Sequence, residues 1–409
     1  MLDRKISIDL LSAEVPLFIL ILNQTFFNTE ECVLEKEIYL DNSATTRVCE
    51  EAAQKALEMM TEFYGNPSSL HSKGLEAEHE IQYARKIIAG SVSAMPEEIY
   101  FTSGGTEGNN TAVFGAVNAL KRRGKRIVTT AIEHSSVYEA MQELEKQGYE
   151  VIYLPPDESG CVRTEDIKKA VTKDTILVSI MAVNNELGSV QPISAVKRAV
   201  TAAGSPALFH VDAVQAYMKM PVIPKKTGID LMTVSGHKIH APKGVGALYV
   251  KKGVRIIPLH YGGMQERKLR PGTEAAPLIC AMGRAVEVYD RQQGEKIKEL
   301  NKIFRQRLSE IDGIVFNSDE GCLPYIINFS LPGFRSETLL HFLAERGIFV
   351  SSGSACAKGH KSHVLEAMKY DDKRADSALR ISFSDENSAD DANIIVNNLK
   401  IAVSTLASS

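Results

Sequence analysis

From residue 38 onward, short apolar runs alternate with segments whose apolar residues recur at helical spacing. The runs, rich in β-branched residues, are EIYFTS (98–103), RIVTTAI (126–132), EVIYLP (150–155), TILVSIMAV (175–183), ALFHVDA (207–213) and DLMTVS (230–235). Between them lie segments such as SVYEAMQELEKQG (136–148), which presents one apolar helix face. Strands that alternate with helices predict an α/β domain with a mainly parallel sheet, and nearly continuous apolar strands indicate that helices cover both faces.

The pattern changes after about residue 294. A long polar helix is predicted in GEKIKELNKIFRQRLSEIDG (294–313), and the run YIINFSL that follows predicts a strand of a smaller α+β region. We therefore expect a large domain with a mainly parallel sheet flanked by helices over residues 38–293. A small C-terminal α+β domain is expected over residues 294–409, and the first residues of the large domain could pack on it.

The composition argues against several function classes. The chain is 24% charged with a formal net charge of -4, so it lacks the basic excess typical of proteins that bind nucleic acids or membrane surfaces. Its six cysteines form no C-x-x-C pair, which favours neither a metal site nor a disulfide framework. We expect no nucleic-acid, membrane or metal ligand, and a reducing, cytoplasmic location.

Residues 1–37 are interpreted as an N-terminal extension that is either non-native or poorly ordered. The apolar run VPLFILIL (15–22) is far shorter than the roughly 20 residues that span a bilayer. The residues before it include Asp3, Asp9 and Glu14, which argues against a signal peptide. We hypothesise that translation naturally begins at Val33.

Polar residues follow several of the predicted strands, at the sheet edge where α/β proteins bind ligands. GGTEGNN, after the first run, combines a glycine turn, Thr106 and a helix start, which favours an anion site, although a plain strand–turn–helix connection is the alternative. The other polar residues are His134 in AIEHSS, Asn184, Asn185 and Glu186 in AVNNELG, and His210, Asp212 and Gln215 in HVDAVQ. Each would be costly to bury without a partner, so a shared site is expected.

Lys238 lies in SGHKIHAPKGVGALYV (235–250), on a glycine-rich turn between two apolar runs. A desolvated lysine near other cations has a lowered pKa and becomes a nucleophilic amine. A phosphate anchor, an acidic partner for a ring nitrogen and such a lysine are what pyridoxal phosphate requires. Asp212 would keep the pyridine nitrogen protonated and His134 could stack on the ring.

With these motifs assembled, the chain resembles the cysteine desulfurases of the NifS/IscS-like kind, within the fold-type-I, class-V aminotransferase superfamily. The resemblance covers about residues 38–400. It rests on YLDNSATT, FYGNPSSLHSKG, FTSGGTEGNN, EHSSV, VNNELGSVQP, HVDAVQ, SGHKIHAPKGVGALYV, LRPGTE and SSGSACAKG, in that order.

The resemblance implies a role for each matching residue. Lys238 would hold the cofactor as a Schiff base and move the α-proton of the substrate. The expected cofactor contacts are Gly105, Thr106, Ser235 and His237 at the phosphate, Asp212 at the ring nitrogen, His134 on the ring face, and Asn185 and Gln215 at the ring hydroxyl. Thr273 would reach the phosphate of the partner subunit in a homodimer. Arg380, with Asn185 beside it, would bind the substrate carboxylate, and Cys356 would be the nucleophile.

The implied reaction converts L-cysteine to L-alanine and leaves a persulfide on Cys356, which passes to a sulfur acceptor in iron–sulfur cluster assembly or in tRNA or cofactor thiolation. Selenocysteine lysis, aminotransfer and kynurenine cleavage on the same scaffold are the enzymatic alternatives, and a non-catalytic scaffold protein is the alternative from another class. The chain departs from the family by a shorter segment after Cys356 and by Ala241, Met264 and Ser384. The shorter segment leaves the acceptor open.

Overall fold

The computed structural model describes residues 37–352 and 362–406. Expectations for residues 1–36 and for Cys356 therefore lie outside the described residues. In the described part of the chain, no helix is both long enough and apolar enough to cross a membrane.

A seven-stranded sheet forms the centre of the fold, with the strand order β2-β8-β7-β6-β5-β3-β4. Its strands are β2 (Ile99–Thr102), β3 (Arg126–Thr130), β4 (Glu150–Leu154), β5 (Thr175–Ser179), β6 (Leu208–Asp212), β7 (Leu231–Ser235) and β8 (Gly246–Val250). Only β8 runs against the others, since it pairs antiparallel with both β2 and β7. All six predicted runs contain a strand of this sheet, so the predicted mainly parallel α/β sheet is confirmed.

Helices cover both faces of this sheet, as its continuous apolar strands require. The helices of this part of the chain are α1 (Glu50–Thr61), α2 (Ser72–Ser91), α3 (Gly105–Leu120), α4 (Ser135–Lys146), α5 (Thr164–Ala170), α6 (Val196–Ala202), α7 (Pro224–Thr227) and α8 (Ala276–Val288). Helices α3 and α4 pack on each other, and α8 packs against α1 and α2. Strands β5, β7 and β8 are buried along their whole length.

The remaining strands form two small sheets. A three-stranded antiparallel sheet has the order β12-β10-β9, built from β9 (Val315–Phe316), β10 (Ile326–Ser330) and β12 (Ala378–Ser382). Around it lie α9 (Gln293–Leu308), α10 (Ser336–Ala344), α11 (His363–Ala367), α12 (Asp372–Asp376) and α13 (Ala389–Thr405). The second small sheet pairs β1 (Ile38–Tyr39) in parallel with β11 (Ile348–Phe349).

The pairing of β1 with β11 ties the first described residues to the C-terminal region. Asn42 Nδ2 also donates to the carbonyl oxygen of Ser382, at 3.0 Å. The described residues from Ile38 onward form one compact unit, and the division near residue 294 stays a prediction.

Candidate active site

A cavity of about 260 Å³ opens where β6 and β7 end and where α3 and α4 begin. Parallel strands bring their carboxyl ends to one sheet edge, and the helices that follow point their N-termini there, so the location follows from the topology. The lining residues are Ser43, Ala44, Gly105, Thr106, Asn109, His134, Ser136, Met181, Val183, Asn185, Asp212, Val214, Gln215, Ser235, His237, Lys238 and Arg380.

Lys238 lies on a single helical turn that directly follows β7. Its Nζ donates hydrogen bonds to the carbonyl oxygens of Ser43 and Ala44, the latter at 2.7 Å. Burial lowers the pKa of Lys238 to about 7, and the positive charges of Arg380 and Lys219 act in the same direction. A large fraction of this amine is therefore neutral near pH 7, the form that is nucleophilic and basic.

Asp212 is the last residue of β6, and its carboxylate is fixed by two hydrogen bonds. Oδ1 accepts from the backbone N–H of Val214 at 2.9 Å, and Oδ2 accepts from Asn109 Nδ2 at 2.7 Å. Asn109, on the first turns of α3, also donates to Ser136 Oγ at 2.9 Å. The side chain is only 5% exposed, so it presents an oriented carboxylate inside the cavity.

His134 caps the N-terminus of α4, where its Nδ1 accepts from the backbone N–H of Ser136 at 3.1 Å. Burial holds the pKa of His134 below its usual value, and Lys238 adds to this effect, although Asp212 opposes it. The imidazole is therefore neutral at pH 7. A neutral, fixed ring beside a carboxylate can cover the face of a planar ligand.

The part of the cavity at the start of α3 is suited to an anion. Gly105 and Thr106 begin α3, whose free N–H groups and dipole favour negative charge. A Cβ on Gly105 would lie 3.0 Å from Val214 Cγ2, so glycine keeps this end open. Ser235 Oγ is buried without a hydrogen-bond partner among the described residues, and the pKa of the neighbouring His237 is lowered to about 4 by burial and by Lys238.

Arg380 enters the cavity from β12. Its Nη2 forms a 2.7 Å ion pair with Asp41, and its Nη1 donates to the carbonyl oxygen of Asn185 at 2.8 Å. Arg380 Nε and Asn185 Oδ1 are buried and have no partner in the described part of the chain. Because a buried polar group without a partner is costly, these two atoms indicate room for a polar ligand.

The structure brings together ten of the twelve predicted site residues. They are Gly105, Thr106, His134, Asn185, Asp212, Gln215, Ser235, His237, Lys238 and Arg380. Thr273 is exposed and does not line this cavity, and Cys356 lies outside the described residues.

Three other polar strand-end residues do not line the cavity. His210 is buried between Ser179 Oγ, at 2.8 Å, and Thr233 Oγ1, at 3.1 Å, so it is a neutral structural bridge. Asn184 accepts backbone hydrogen bonds within its own turn, and Glu186 accepts a 2.6 Å hydrogen bond from Ser362 Oγ at the start of α11.

Several cavity residues were not predicted from the sequence. Asp41, Ser43 and Ala44 reach the site from the segment after β1, and no local pattern relates that segment to the sheet edge. Asn109 could have been predicted from the sequence. It lies one turn after Gly105 in GGTEGNN, as a polar residue on the helix face that is otherwise apolar toward the sheet.

The sequence and the structure were compared with those of known proteins. The sequence matches the family described as "Aminotransferase class-V" over residues 38–395. It is 39% identical over 380 residues to "Cysteine desulfurase IscS" of Dictyoglomus turgidum. The matched region covers 91% of this chain and 96% of that protein. The structure is similar to one titled "NIFS-LIKE PROTEIN", with a TM-score of 0.85, 38% identity, and coverage of 90% of this chain and 100% of the other. It is also similar to "SspA in complex with cysteine", with a TM-score of 0.76, 33% identity, and coverage of 85% and 98%.

Proposed function

The chain belongs to the cysteine desulfurases of the class-V aminotransferase family, and from that premise we propose how its own residues perform the reaction. The enzyme uses pyridoxal phosphate to remove sulfur from L-cysteine, and L-alanine is the other product. One observation carries the assignment of residues: the buried Lys238 amine shares one cavity with the Asp212 carboxylate and with an open helix N-terminus.

The residues in the cavity fit pyridoxal phosphate. Its phosphate would lie at the start of α3, where Ser235 Oγ lacks a partner within the described structure. Asp212 would bind the ring nitrogen, His134 would cover the ring, and the Lys238 amine would hold the aldehyde carbon. Asn185 and Gln215 would orient the ring hydroxyl, and His237 and Thr106 would complete the phosphate contacts. When bound, the cofactor supplies an electron sink for the charge that develops at the substrate α-carbon.

Lys238 is proposed to move the α-proton of the substrate. Its pKa of about 7 allows the amine to accept a proton and to return it at neutral pH. The carbonyl oxygens of Ser43 and Ala44 provide two hydrogen-bond acceptors that hold Nζ in the cavity. Both acceptors are uncharged, and burial together with the cations Arg380 and Lys219 keeps the pKa of the amine low.

Arg380 and Asn185 are proposed to bind the substrate. A carboxylate that approaches Arg380 would find Nε free among the described residues, while Asp41 already pairs with Nη2. Charge-assisted contacts of this kind are stronger than neutral hydrogen bonds. The arginine would therefore set which end of the amino acid points away from Lys238.

Cys356 is proposed as the sulfur acceptor within the enzyme. Its thiolate would attack the substrate sulfur, forming an S–S bond while the C–S bond breaks and its electron pair stays with the carbon skeleton. That skeleton then takes up protons and leaves as L-alanine. The persulfide would pass to an acceptor protein in the cytoplasm, in iron–sulfur cluster assembly or in tRNA or cofactor thiolation. The cytoplasmic location is supported by the four free cysteines among the described residues.

A homodimer is proposed as the working form. Thr273 is exposed on this chain, and it would complete the phosphate site of the partner. Large apolar side chains lie exposed on α1 and on two nearby loop segments, as expected of a surface that a second copy covers: Leu57, Met60, Tyr64, Leu70, Tyr261 and Met264.

The test of the proposed function compares Cys356→Ala with Cys161→Ala, a half-buried thiol outside the cavity. Both variants should bind pyridoxal phosphate and show a spectral change with L-cysteine. Alanine formation should fall by about 10³-fold or more in Cys356→Ala and stay near wild type in Cys161→Ala. Labelled sulfur should remain on the wild-type chain after denaturation. Near wild-type alanine formation by Cys356→Ala would remove this cysteine from the pathway.

A further inference from the structure

Lys219 is a second half-buried lysine beside the active site, and none of the steps above uses it. It follows β6 and Gln215 in the chain, and its Nζ lies 3.5 Å from Gln215 Oε1 and 5.5 Å from the ring centroid of Tyr325. No carboxylate among the described residues forms an ion pair with it. A desolvated ammonium without a counter-ion is costly, so its retention calls for a physical explanation.

A chain of hydrogen bonds links Lys219 to the catalytic amine. Gln215 accepts from Lys219 through Oε1 and donates from Nε2 to the carbonyl oxygen of Ser43, at 2.9 Å. Lys238 Nζ donates to that same carbonyl oxygen. Gln215 is only 4% exposed, and a cation at one end of its amide can be met only by the oxygen. Lys219 and the carbonyl oxygen of Ser43 therefore together fix which way the Gln215 amide points in the cavity.

Among the charges around the cavity, no carboxylate of the described residues pairs with Lys219. Arg380 is paired with Asp41 at 2.7 Å, and Asp212 accepts from the neutral Asn109. The charged and titratable groups that face Lys238 are Arg380 and Lys219, both cations, Asp41 and Asp212, both anions, and the histidines His134 and His237. With Lys219 present, the two cations beside Lys238 balance the two anions, and without Lys219 the anions would outnumber the cations.

We propose that Lys219 is a positioning residue of this active site, which fixes the Gln215 amide and adds the positive charge that favours the neutral Lys238 amine. Burial and Arg380 lower the pKa of Lys219 to about 8, so most of it remains charged at pH 7. Its charge in turn contributes to the lowered pKa of Lys238. The part of the proposal that concerns the cofactor hydroxyl near Gln215 rests on the proposed function.

The first test titrates the visible absorbance of the bound pyridoxal phosphate against pH in Lys219→Met, Lys219→Arg and wild-type holoenzyme. Removal of a like charge should raise the titration midpoint in Lys219→Met by about 0.5–1 pH unit. Lys219→Arg, which keeps the charge, should stay within about 0.2 pH unit of wild type. The matched control is Lys225→Met, an exposed lysine on α7, whose midpoint should not move.

The second test needs no cofactor and therefore separates this proposal from the proposed function. The full-length chain without cofactor is treated with cyanate, which reacts with neutral amines, and carbamylation of Lys238 is measured by peptide mass spectrometry across pH. The midpoint for Lys238 should rise by a similar amount in Lys219→Met, whether or not the wild type binds pyridoxal phosphate. An unchanged Lys238 midpoint in folded Lys219→Met would overturn the proposal, because a purely structural lysine affects only stability. Absence of the cofactor band in wild type would instead contradict the proposed function.

Discussion

Glu133 shows how burial alone sets an acid–base property beside the active site. The side chain is fully buried; its Oε1 accepts from Thr130 Oγ1 at 2.7 Å and from the backbone N–H of Met181 at 3.0 Å. Oε2 has no partner among the described residues. Burial raises the pKa of Glu133 to about 8, and the negative charge of Asp212 adds to this. The carboxyl group of Glu133 is therefore protonated at neutral pH. Because it is neutral, it adds no second negative charge beside the Asp212 carboxylate.

Glu133→Gln should change how the stability depends on pH. In the folded chain Glu133 binds its proton up to about pH 8, whereas in the unfolded chain it loses that proton near its ordinary value of 4.5. Wild-type stability therefore falls as pH rises between these values, and the glutamine variant avoids that loss. The Tm of Glu133→Gln minus that of wild type, measured by calorimetry, should increase from about pH 5 to about pH 8. A constant difference would mean that Glu133 is ionised in the folded state.

Lys238→Ala should separate cofactor binding from turnover. The cofactor contacts proposed for the start of α3 and for Asp212 do not involve the lysine, so the variant should still bind pyridoxal phosphate. Alanine formation from L-cysteine should fall by about 10³-fold or more, because the group proposed to move the α-proton is gone. Equilibrium dialysis and a product assay measure the two effects. Recovery of more than about a tenth of the wild-type rate would assign the proton transfer to another group.

At the scale of elements, the site depends on how closely β8 approaches the turn before α3. A Cβ on Gly246 would lie 2.6 Å from the carbonyl oxygen of Val234 and 2.8 Å from Gly104 Cα, both backbone atoms. Gly104 has φ 149°, a backbone conformation that favours glycine. Two glycines thus allow strand and turn to touch, which places the start of α3 beside Ser235.

Gly246→Ala should therefore weaken cofactor binding as well as stability. The added methyl group must push β8 from β7 or from the turn, at a cost of about 1–3 kcal/mol. Affinity for pyridoxal phosphate should fall while the Tm decreases. Gly294→Ala on α9, where an added Cβ meets nothing within 4 Å, is the matched control and should not lower the Tm. Unchanged affinity in Gly246→Ala would show that the turn tolerates the displacement.

The sequence predicted the strands of the central sheet well because each is a short, apolar, β-branched run. Their order could not be predicted, since β8 enters between β2 and β7, and its pairing with β2 joins residues distant in the chain. The same limit applies to the site. Asp212 ends a strand, and His134 and Lys238 come within a few residues after one, so all three could be identified from their position. Asp41 and Ser43 arrive through the β1–β11 pairing, which no periodicity in the sequence indicates.

At the scale of the whole molecule, each cavity of the proposed dimer would be completed by Thr273 from the other chain. Thr273 follows a segment in which Glu266, Arg267 and Lys268 all have positive φ, between 43° and 67°. This conformation is held by the buried ion pair of Glu266 with Arg85, at 2.7 Å. Strain of this kind persists only where surrounding contacts enforce it, and here it fixes the backbone that leads to Thr273.

Mixing two impaired variants tests whether Thr273 acts on the partner. Thr273→Ala should bind pyridoxal phosphate about 10–100-fold more weakly, because the charge-assisted phosphate contact proposed for Thr273 would be lost. Mixed dimers of Thr273→Ala with Lys238→Ala contain one site that has both residues. After exchange of subunits, the mixed dimers should restore roughly a quarter of the wild-type activity, measured at a limiting cofactor concentration. No recovery in verified mixed dimers would place Thr273 in the site of its own chain.

The parallel pairing of β1 with β11 also sets an order of events during synthesis. Strand β1 emerges from the ribosome first, but its partner follows only after roughly 300 more residues, at about 5–20 residues per second. For roughly 15–60 s, Ser43 and Ala44 thus lack the strand pairing that holds their segment near Lys238. The strands of the central sheet are all synthesised within that interval. The hydrogen bonds from Lys238 Nζ to Ser43 and Ala44 form in their final setting only when nearly the whole chain has been made. A truncated nascent chain would therefore contain the lysine but not the surroundings that lower its pKa.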